Sequence, residues 1–293
     1  FVFNRHFDTS IDYLAGGYED QQGFSKTFTA YLEKISKQLI EKYDLTNKRI
    51  MEIGCGKGDF LDMINRLAGG EGLGIDPAYV EGRLDNPALK FHKQFFVPEH
   101  GRFEPDLICC RHTLEHIFDT RGFVGKLRES QADNGSPIFF EVPDFTRVLN
   151  EKAFWDIYYE HCSYFSAGSL ARLFRSAGYR VTDLRLDYND QYLLLEAVPG
   201  KPGSASRFPI EESLERYSRR IHRFKSEIMQ LIREWSSRLT GMSARGERVV
   251  LWGGGSKAAG FLSHIPAAAN LIINIVDINP YMEGNYVPGI GAR

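Results

Sequence analysis

Apolar residues in the first two thirds of the chain follow two alternating spacings. Short apolar runs, typical of buried strands, alternate with stretches whose apolar positions recur every three or four residues, as on one face of a helix. These patterns predict strands at about 49–53, 72–76, 88–93, 105–110 and 136–142, and helices near 28–43, 59–68, 119–131 and 167–177. Such alternation indicates βαβ units, and therefore a parallel sheet with helices on both faces.

Two more apolar runs follow, at 180–188 and 191–198, with only Asn189 and Asp190 between them. Because Asn and Asp tolerate tight-turn geometry, this segment predicts a β-hairpin, and one of its strands must run antiparallel to the other. The predicted α/β fold is a doubly wound, Rossmann-like sheet with an antiparallel last strand.

A segment rich in Pro, Gly and Ser divides the chain, and we predict a first domain over 1–199, a linker over 200–209 and a second domain over 210–293. Apolar residues from Ile210 to Trp235 alternate steps of four and three, which predicts a long helix with one apolar seam. The seam either packs on the chain's own domains, the interpretation we prefer, or pairs with a second copy as a coiled coil.

The segment MEIGCGKGDF, residues 51–60, is the main candidate for a binding site. Gly54, Gly56 and Gly58 occupy every second position between a predicted strand and a predicted helix. Glycine allows a positive φ and lets a ligand approach with no Cβ in the way, and the helix start presents free N–H groups. The spacing differs from the dinucleotide pattern G-x-G-x-x-G and favours an adenosyl ligand, with a plain glycine-rich turn or an NAD site as alternatives.

Two acids strengthen the adenosyl interpretation. Glu52 could face the ammonium of a methionine moiety, and Asp76 ends the next strand, where an acid binds both ribose hydroxyls. The combination resembles motif I and the second-strand acid of the class I S-adenosylmethionine-dependent methyltransferases. The resemblance implies S-adenosylmethionine as the cofactor, and we add Cys55, Arg111 and His112 to its candidate binding residues.

The string RHTLEHI, residues 111–117, matches the zinc-binding pattern H-x-x-E-H through His112, Glu115 and His116. Histidines four apart on a helix could share a metal ion. The string follows directly on a predicted strand, however, and resembles the loop after the fourth strand of class I methyltransferases. We therefore expect a loop beside the ligand and no metal, with a supporting role in catalysis for either histidine as the next alternative.

The segment FWDIYYEHCSYF, residues 154–165, brings Tyr158, Glu160 and His161 together after the fifth predicted strand. Ligands of open α/β sheets bind beyond the carboxyl ends of the strands, so this segment is expected on the cofactor's side. A histidine, with an ordinary pKa near ~6.5, is suited to accept a proton at neutral pH. Aromatic residues in such a segment could instead only seal a pocket.

The order of the glycine turn, D-I-Y-x-E-H-x-S-Y-F, the linker, the long helix and VDINPYMEGNYVPG resembles the C-methyltransferases that modify nucleotide-linked keto-deoxysugars. The resemblance implies that His161 removes the proton next to the sugar ketone, assisted by Glu160, Tyr158 and an N-terminal tyrosine, for which Tyr18 is the nearest match. The family commonly has a histidine where this chain has Tyr159, and its N-terminal zinc-binding cysteine cluster is absent from these residues.

A second strand, turn and helix follow the long helix, with a strand at 249–252, glycines 253–255 and a further strand that ends at Asp277. This looks like a partial Rossmann-like domain. Gly254, Gly255 and Lys257 could hold the diphosphate of a nucleotide-sugar, or the turn could be purely structural. Arg293 follows too soon to complete a sheet, so we expect a shortened chain.

Composition narrows the remaining possibilities. The 293 residues are 43% hydrophobic and 25% charged with a net charge of −2, which gives no reason to expect nucleic acid or a membrane as partner. The first residues carry charge and no stretch approaches the length of a membrane span, so we expect a cytoplasmic protein. The four cysteines form no C-x-x-C pair, so neither a zinc ribbon nor a disulfide framework is indicated. O-methylation of a sugar or small metabolite, and a non-catalytic adenosyl-ligand sensor, are the alternative functions.

Overall fold

The computed structural model describes residues 1–8, 23–131, 135–201, 207–265, 268 and 271–287, and Tyr18 lies outside them. The chain forms two compact units. Unit 1 comprises Phe1–Gly16, Lys26–Phe145 and Glu160–Glu212, and unit 2 comprises Gly17–Ser25, Thr146–Tyr159 and Ser213–Arg293. The segment Thr146–Tyr159, placed by the sequence in the first domain, is therefore part of unit 2.

Helices and strands alternate through most of the chain. The helices are α1 (Lys26–Tyr43), α2 (Asp59–Ala68), α3 (Thr120–Ser130), α4 (Phe145–Glu151), α5 (Ala167–Ser176), α6 (Leu214–Ala244) and α7 (Ser256–His264). The strands are β1 (Val2–Phe3), β2 (Arg49–Ile53), β3 (Glu71–Ile75), β4 (Leu89–His92), β5 (Leu107–Arg111), β6 (Ile138–Pro143), β7 (Ser163–Tyr164), β8 (Tyr179–Asp187), β9 (Tyr192–Pro199), β10 (Val249–Trp252) and β11 (Ile272–Val276).

Unit 1 is built on a seven-stranded sheet with the order β4-β3-β2-β5-β6-β9-β8. The first five strands are parallel, and β9 runs antiparallel to both β6 and β8. The predicted hairpin and the predicted antiparallel strand are thereby confirmed. Because β3, β2 and β5 are parallel neighbours, their carboxyl ends meet at one edge, where open α/β sheets bind their ligands.

Both faces of this sheet are buried, which explains the continuous apolar runs of its strands. In β2, Ile50 packs with residues of α1 and α2 on one face, whereas Met51 packs with residues of α3 and α5 on the other. Both side chains are fully buried. Successive strand residues point to opposite faces, so one strand supplies two cores and fixes its own orientation.

Unit 2 contains the long helix α6 and a βαβ element in which β10 and β11 are parallel and α7 connects them. Ile228, Leu231 and Trp235 of α6 pack on a core formed with α7 and the two strands. The last three residues of the apolar seam thus pack on the chain's own unit, in agreement with the preferred interpretation. Within the described residues, no helix has the combined length and apolar character of a bilayer span.

Candidate active site

The turn between β2 and α2 is built on positive φ angles. Gly54, Gly56 and Gly58 have φ of 69°, 55° and 88°, a region that other residues adopt only with strain. A Cβ at Gly54 would lie 2.0 Å from Oγ1 of Thr113, and a Cβ at Gly58 would lie 2.7 Å from the ring of Phe91. The conformation of the turn itself therefore requires glycine at these positions.

Asp76 ties this turn to the neighbouring strand. Its Oδ2 accepts the Gly56 N–H at 2.8 Å and its Oδ1 accepts the Ala78 N–H at 2.7 Å. Each carboxylate oxygen has two lone pairs and can accept further donors, such as the hydroxyls of a ribose. The turn and Asp76 therefore fit an adenosyl ligand at the carboxyl edge of the sheet.

Glu52 is the penultimate residue of β2, two positions before Gly54, and is 2% exposed. Burial raises the pKa of its carboxyl to about 8, against the opposing charge of Arg111 and a hydrogen bond from the Leu61 backbone. No described residue pairs with its Oε2. The side chain is therefore mostly neutral at pH 7. The expectation that it could face the ammonium of a methionine moiety stays a prediction.

Two other candidate cofactor residues direct their side chains into the protein. The Cys55 thiol packs against β3, since a Cβ at Gly74 would lie 2.8 Å from Sγ, and burial raises its pKa. Arg111 is 9% exposed, lies 4.4 Å from the Phe60 ring centroid and forms a 2.7 Å ion pair with Glu141. Arg111 and Glu141 thus neutralise each other, because burying either charge alone would be strongly unfavourable.

Sequence reasoning did not identify Glu141, which is fully buried at the end of β6. It accepts a short hydrogen bond from the Tyr31 hydroxyl, and its Oε1 lies 2.7 Å from Nε2 of His112. Although burial opposes ionisation, the charges of Arg111 and His112 lower the pKa of Glu141 to about 2. The available signal was an acid inside the apolar run IFFEVP.

His112 lies between two acids. Its backbone has a φ of 48°, a value that is uncommon for a residue other than glycine and is enriched at functional sites. Its Nδ1 lies 3.7 Å from Oε1 of Glu115, while Nε2 faces Glu141. Burial alone would lower the pKa of His112, but the contacts with Glu115 and Glu141 raise it to about 9. His112 therefore carries a positive charge at neutral pH.

Glu115, His116 and His161 form a cluster within unit 1, and their ligand atoms lie within 4.8 Å of one another. Leu114–His116 is a 3₁₀ turn after β5, so His112 and His116 do not share a helical face. The rings of His116 and His161 are perpendicular with centroids 4.8 Å apart, and His161 is 8% exposed. Carboxylate and imidazole groups also serve as metal ligands, but this trio differs from the one that the motif predicted.

Glu160 and Tyr158, two other residues of the predicted catalytic set, form contacts of their own. Glu160 is exposed, and its carbonyl accepts a 3.2 Å hydrogen bond from Nδ1 of His116. Tyr158 belongs to unit 2, where its hydroxyl donates to Asp156 at 3.0 Å. The structure thus brings His161 together with His116 and Glu115, which the sequence analysis expected in a loop beside the ligand, with a supporting role in catalysis as an alternative for His116.

The glycine turn of unit 2 repeats the arrangement around Asp76. Oδ2 of Asp277 accepts the Gly254 N–H at 2.6 Å, and its Oδ1 accepts the Asn279 N–H at 2.8 Å. Gly255 precedes α7. Lys257, half exposed, lies 3.4 Å from Oδ1 of Asp156. The predicted phosphate-binding residues are therefore at a helix start, and the ammonium already has an acidic partner.

Two protein families match the chain. The family described as "Methyltransferase domain" matches residues 24–184, and the family described as "C-methyltransferase C-terminal domain" matches residues 209–292. The first match covers more than half of the chain, and the chain belongs to this methyltransferase family. It is an S-adenosylmethionine-dependent methyltransferase whose C-terminal part is similar to the C-terminal domain of C-methyltransferases.

A curated relative and two solved structures extend the comparison. The C-methyltransferase NovU of Streptomyces niveus is 26% identical over 305 residues, which cover 95% of this chain and 70% of the relative. A putative S-adenosylmethionine-dependent methyltransferase from Listeria monocytogenes is 11% identical, with 59% of this chain and 100% of that chain covered and a TM-score of 0.42. Magnesium protoporphyrin IX methyltransferase from Synechocystis PCC 6803, with bound S-adenosylhomocysteine, is 12% identical with a TM-score of 0.44. The comparison covers 64% of this chain and 91% of that chain.

Proposed function

We propose that this methyltransferase methylates a carbon next to the ketone of a nucleotide-linked keto-deoxysugar. The observation that carries the proposal is a buried histidine, His161, beside the turn that follows β5, at the same edge of the sheet as the glycine turn. The likeness to NovU, described as a C-methyltransferase, supports methylation at carbon.

Such a carbon becomes nucleophilic only after it loses a proton. In the proposed reaction a ring nitrogen of His161 takes the proton, and the electron pair of the C–H bond moves toward the carbonyl oxygen to give an enolate. The bound cofactor supplies the electrophilic methyl group. Holding the reacting carbon at about 3 to 3.5 Å from that group would supply much of the rate.

Other residues would bind and orient the two reactants. We assign the ribose to Asp76, whose carboxylate oxygens can accept further donors, and the adenosyl site to the turn from Gly54 to Gly58, where the glycines place no side chain in the way of a ligand. Glu160, Tyr158 and Tyr18 would hold the sugar or assist His161, as the family resemblance implies.

The nucleotide would bind unit 2 through Gly254, Gly255 and Lys257. The N-terminus of α7, which follows Gly255, is the kind of position at which backbone N–H groups and the helix dipole favour a diphosphate. Lys257 would exchange part of its interaction with Asp156 for the phosphate charge. The alternative is a turn that serves the fold alone, and a substrate-binding measurement on a Lys257 variant separates the two.

A screen of nucleotide-sugars by thermal shift, with S-adenosylhomocysteine present, would identify the substrate, because a ligand that binds the folded state raises its Tm. Product NMR then tests the chemistry. We expect a new C–CH₃ signal. A new O–CH₃ signal would overturn the proposal in favour of O-methylation, in which His161 deprotonates a hydroxyl.

A further inference from the structure

We propose that Glu115 is a positioning residue for His161, whose carboxylate accepts the ring N–H that faces away from the substrate. The inference rests on the proposed function, in which His161 is the base. It assigns Glu115 a task that neither the sequence motif nor the comparisons give it.

Glu115 occupies the middle of the 3₁₀ turn Leu114–His116, directly after β5. Its side chain is 3% exposed, and a carboxylate oxygen lies within 4.8 Å of a ring nitrogen of His161. Catalytic hydrogen bonds are often long before substrate binds and shorten in the reacting complex.

The two oxygens of Glu115 have different surroundings. Oε1 faces Nδ1 of His112 at 3.7 Å, and His112 is in turn held by Glu141. Oε2 is buried, and no donor among the described residues forms a hydrogen bond with it. A buried carboxylate oxygen without a donor is unfavourable, so Oε2 is the atom of this cluster that requires an N–H partner.

Charge favours the same assignment. Burial alone would raise the pKa of Glu115, but its contact with His112 and the nearby His116 and His161 lower it, so the carboxylate is anionic at neutral pH. Cys110 of β5 also faces this charge, and burial together with Glu115 raises the pKa of its thiol. Because that thiol stays protonated, it adds no competing negative charge.

His161 is a better partner for Oε2 than His116 is. Nδ1 of His116 faces the Glu160 carbonyl, which can only accept, so Nδ1 carries the hydrogen and is already used. A neutral His161 has one N–H and one nitrogen lone pair. If the N–H is donated to Glu115, the lone pair is directed to the substrate, and the imidazolium that forms after proton transfer is stabilised by the adjacent anion.

The test is Glu115→Gln, which keeps the shape and removes the charge, with Glu115→Asp as a shorter carboxylate and Glu129→Gln, an exposed residue of α3, as a matched control. The first readout needs no substrate. NMR of histidine-labelled protein, with His161 assigned through His161→Asn, gives the pH at which the ring signals are half shifted. We expect this pH to fall by about one unit or more in Glu115→Gln, less in Glu115→Asp, and not in Glu129→Gln.

The second readout is exchange of the α-hydrogen of a nucleoside diphosphate-linked 4-keto-6-deoxyhexose with deuterated water. We expect Glu115→Gln to slow exchange about tenfold or more with unchanged calorimetric affinity for S-adenosylhomocysteine. If His161→Asn abolishes exchange while Glu115→Gln alters neither exchange nor the titration, the positioning role is wrong and the base stands. If His161→Asn leaves exchange intact, the assignment of His161 as the base fails. The contact between Glu115 and His161 is then decided by the His161 titration alone, and an unshifted titration in Glu115→Gln contradicts it.

Two further outcomes would also overturn the positioning role. Stoichiometric metal in the wild type that is lost in Glu115→Gln would make the residue a metal ligand. If Glu115→Gln does not fold, Glu115→Asp carries the test, and an unshifted His161 titration in that folded variant, with full exchange activity, contradicts the proposal.

Discussion

Glu52→Gln should remove a specific part of the protein's pH dependence of stability. The Glu52 carboxyl is buried with a pKa of about 8, compared with an ordinary value of 4.5. Between these two pH values the folded state holds a proton that the unfolded state has released. Stability therefore falls as the pH rises from 4.5 to about 8, and is flat for this group outside that interval.

The size of the effect follows from the interval. About 3.5 pH units at ~1.36 kcal/mol each give an upper value of ~5 kcal/mol for Glu52, and relaxation of its surroundings reduces this to on the order of 3 kcal/mol. Glutamine has the size of the neutral acid and cannot ionise. The variant should resemble the wild type near pH 5 and exceed it in stability by this amount above pH 8.

Urea unfolding at about pH 5.5, 7 and 8.5 would measure the difference. The three tryptophans, Trp155, Trp235 and Trp252, all belong to unit 2, so their fluorescence reports on the unit that lacks Glu52. Far-ultraviolet circular dichroism includes unit 1. For Glu52→Gln we expect a pH-dependent gain in stability over the wild type when unfolding is followed by circular dichroism. The unfolding transitions followed by fluorescence should not change. Glu71→Gln, at the exposed start of β3, controls for the loss of a charge.

Parallel stability curves for wild type and Glu52→Gln across this pH range would refute the reasoning, because Glu52 would then be ionised in the folded state. The same result would support the expectation that Glu52 faces the ammonium of the cofactor as an anion. A gain equal to that of Glu71→Gln would assign the effect to net charge instead of burial.

Three further predictions concern the site. Gly56→Val should abolish S-adenosylhomocysteine binding in calorimetry, because φ is 55° there and the amide is bonded to Asp76, and undiminished affinity would contradict the cofactor assignment. His161→Asn should lower kcat by ~10² to 10⁴, or about 3 to 5 kcal/mol of barrier, with cofactor affinity near wild type; α-hydrogen exchange at the wild-type rate would place the base elsewhere. Lys257→Ala should raise the substrate KM, and an unchanged KM would favour a purely structural turn in unit 2.

Local patterns predicted the first glycine turn and its flanking elements closely. The strand at 49–53 and the helix at 59–68 have the predicted bounds, because each is marked by its own apolar spacing and by the glycines between them. The hairpin around Asn189 and Asp190 was equally local, and both residues adopt the positive φ that such turns require.

The charge network next to the site could not be derived in this way. Glu141 is stabilised by Tyr31, 110 positions earlier, and by Arg111, 30 positions earlier. Arg111 reaches Glu141 because β5 and β6 are neighbours in the sheet, and Tyr31 reaches it from α1. Likewise, the H-x-x-E-H spacing of His112 and His116 suggested a shared helical face, but the backbone forms a 3₁₀ turn there. Spacing along the chain does not specify such pairings.

The matching hydrogen bonds of Asp76 and Asp277 change how a glycine turn followed by an acid should be interpreted. In both units the acid accepts hydrogen bonds from an amide of the turn and from the amide two residues beyond itself. The acid therefore links the turn after one strand to the end of the parallel strand beside it. A glycine-and-acid signature in a sequence then indicates how a chain crosses from one strand to the next, and a bound nucleoside must be demonstrated separately for each copy.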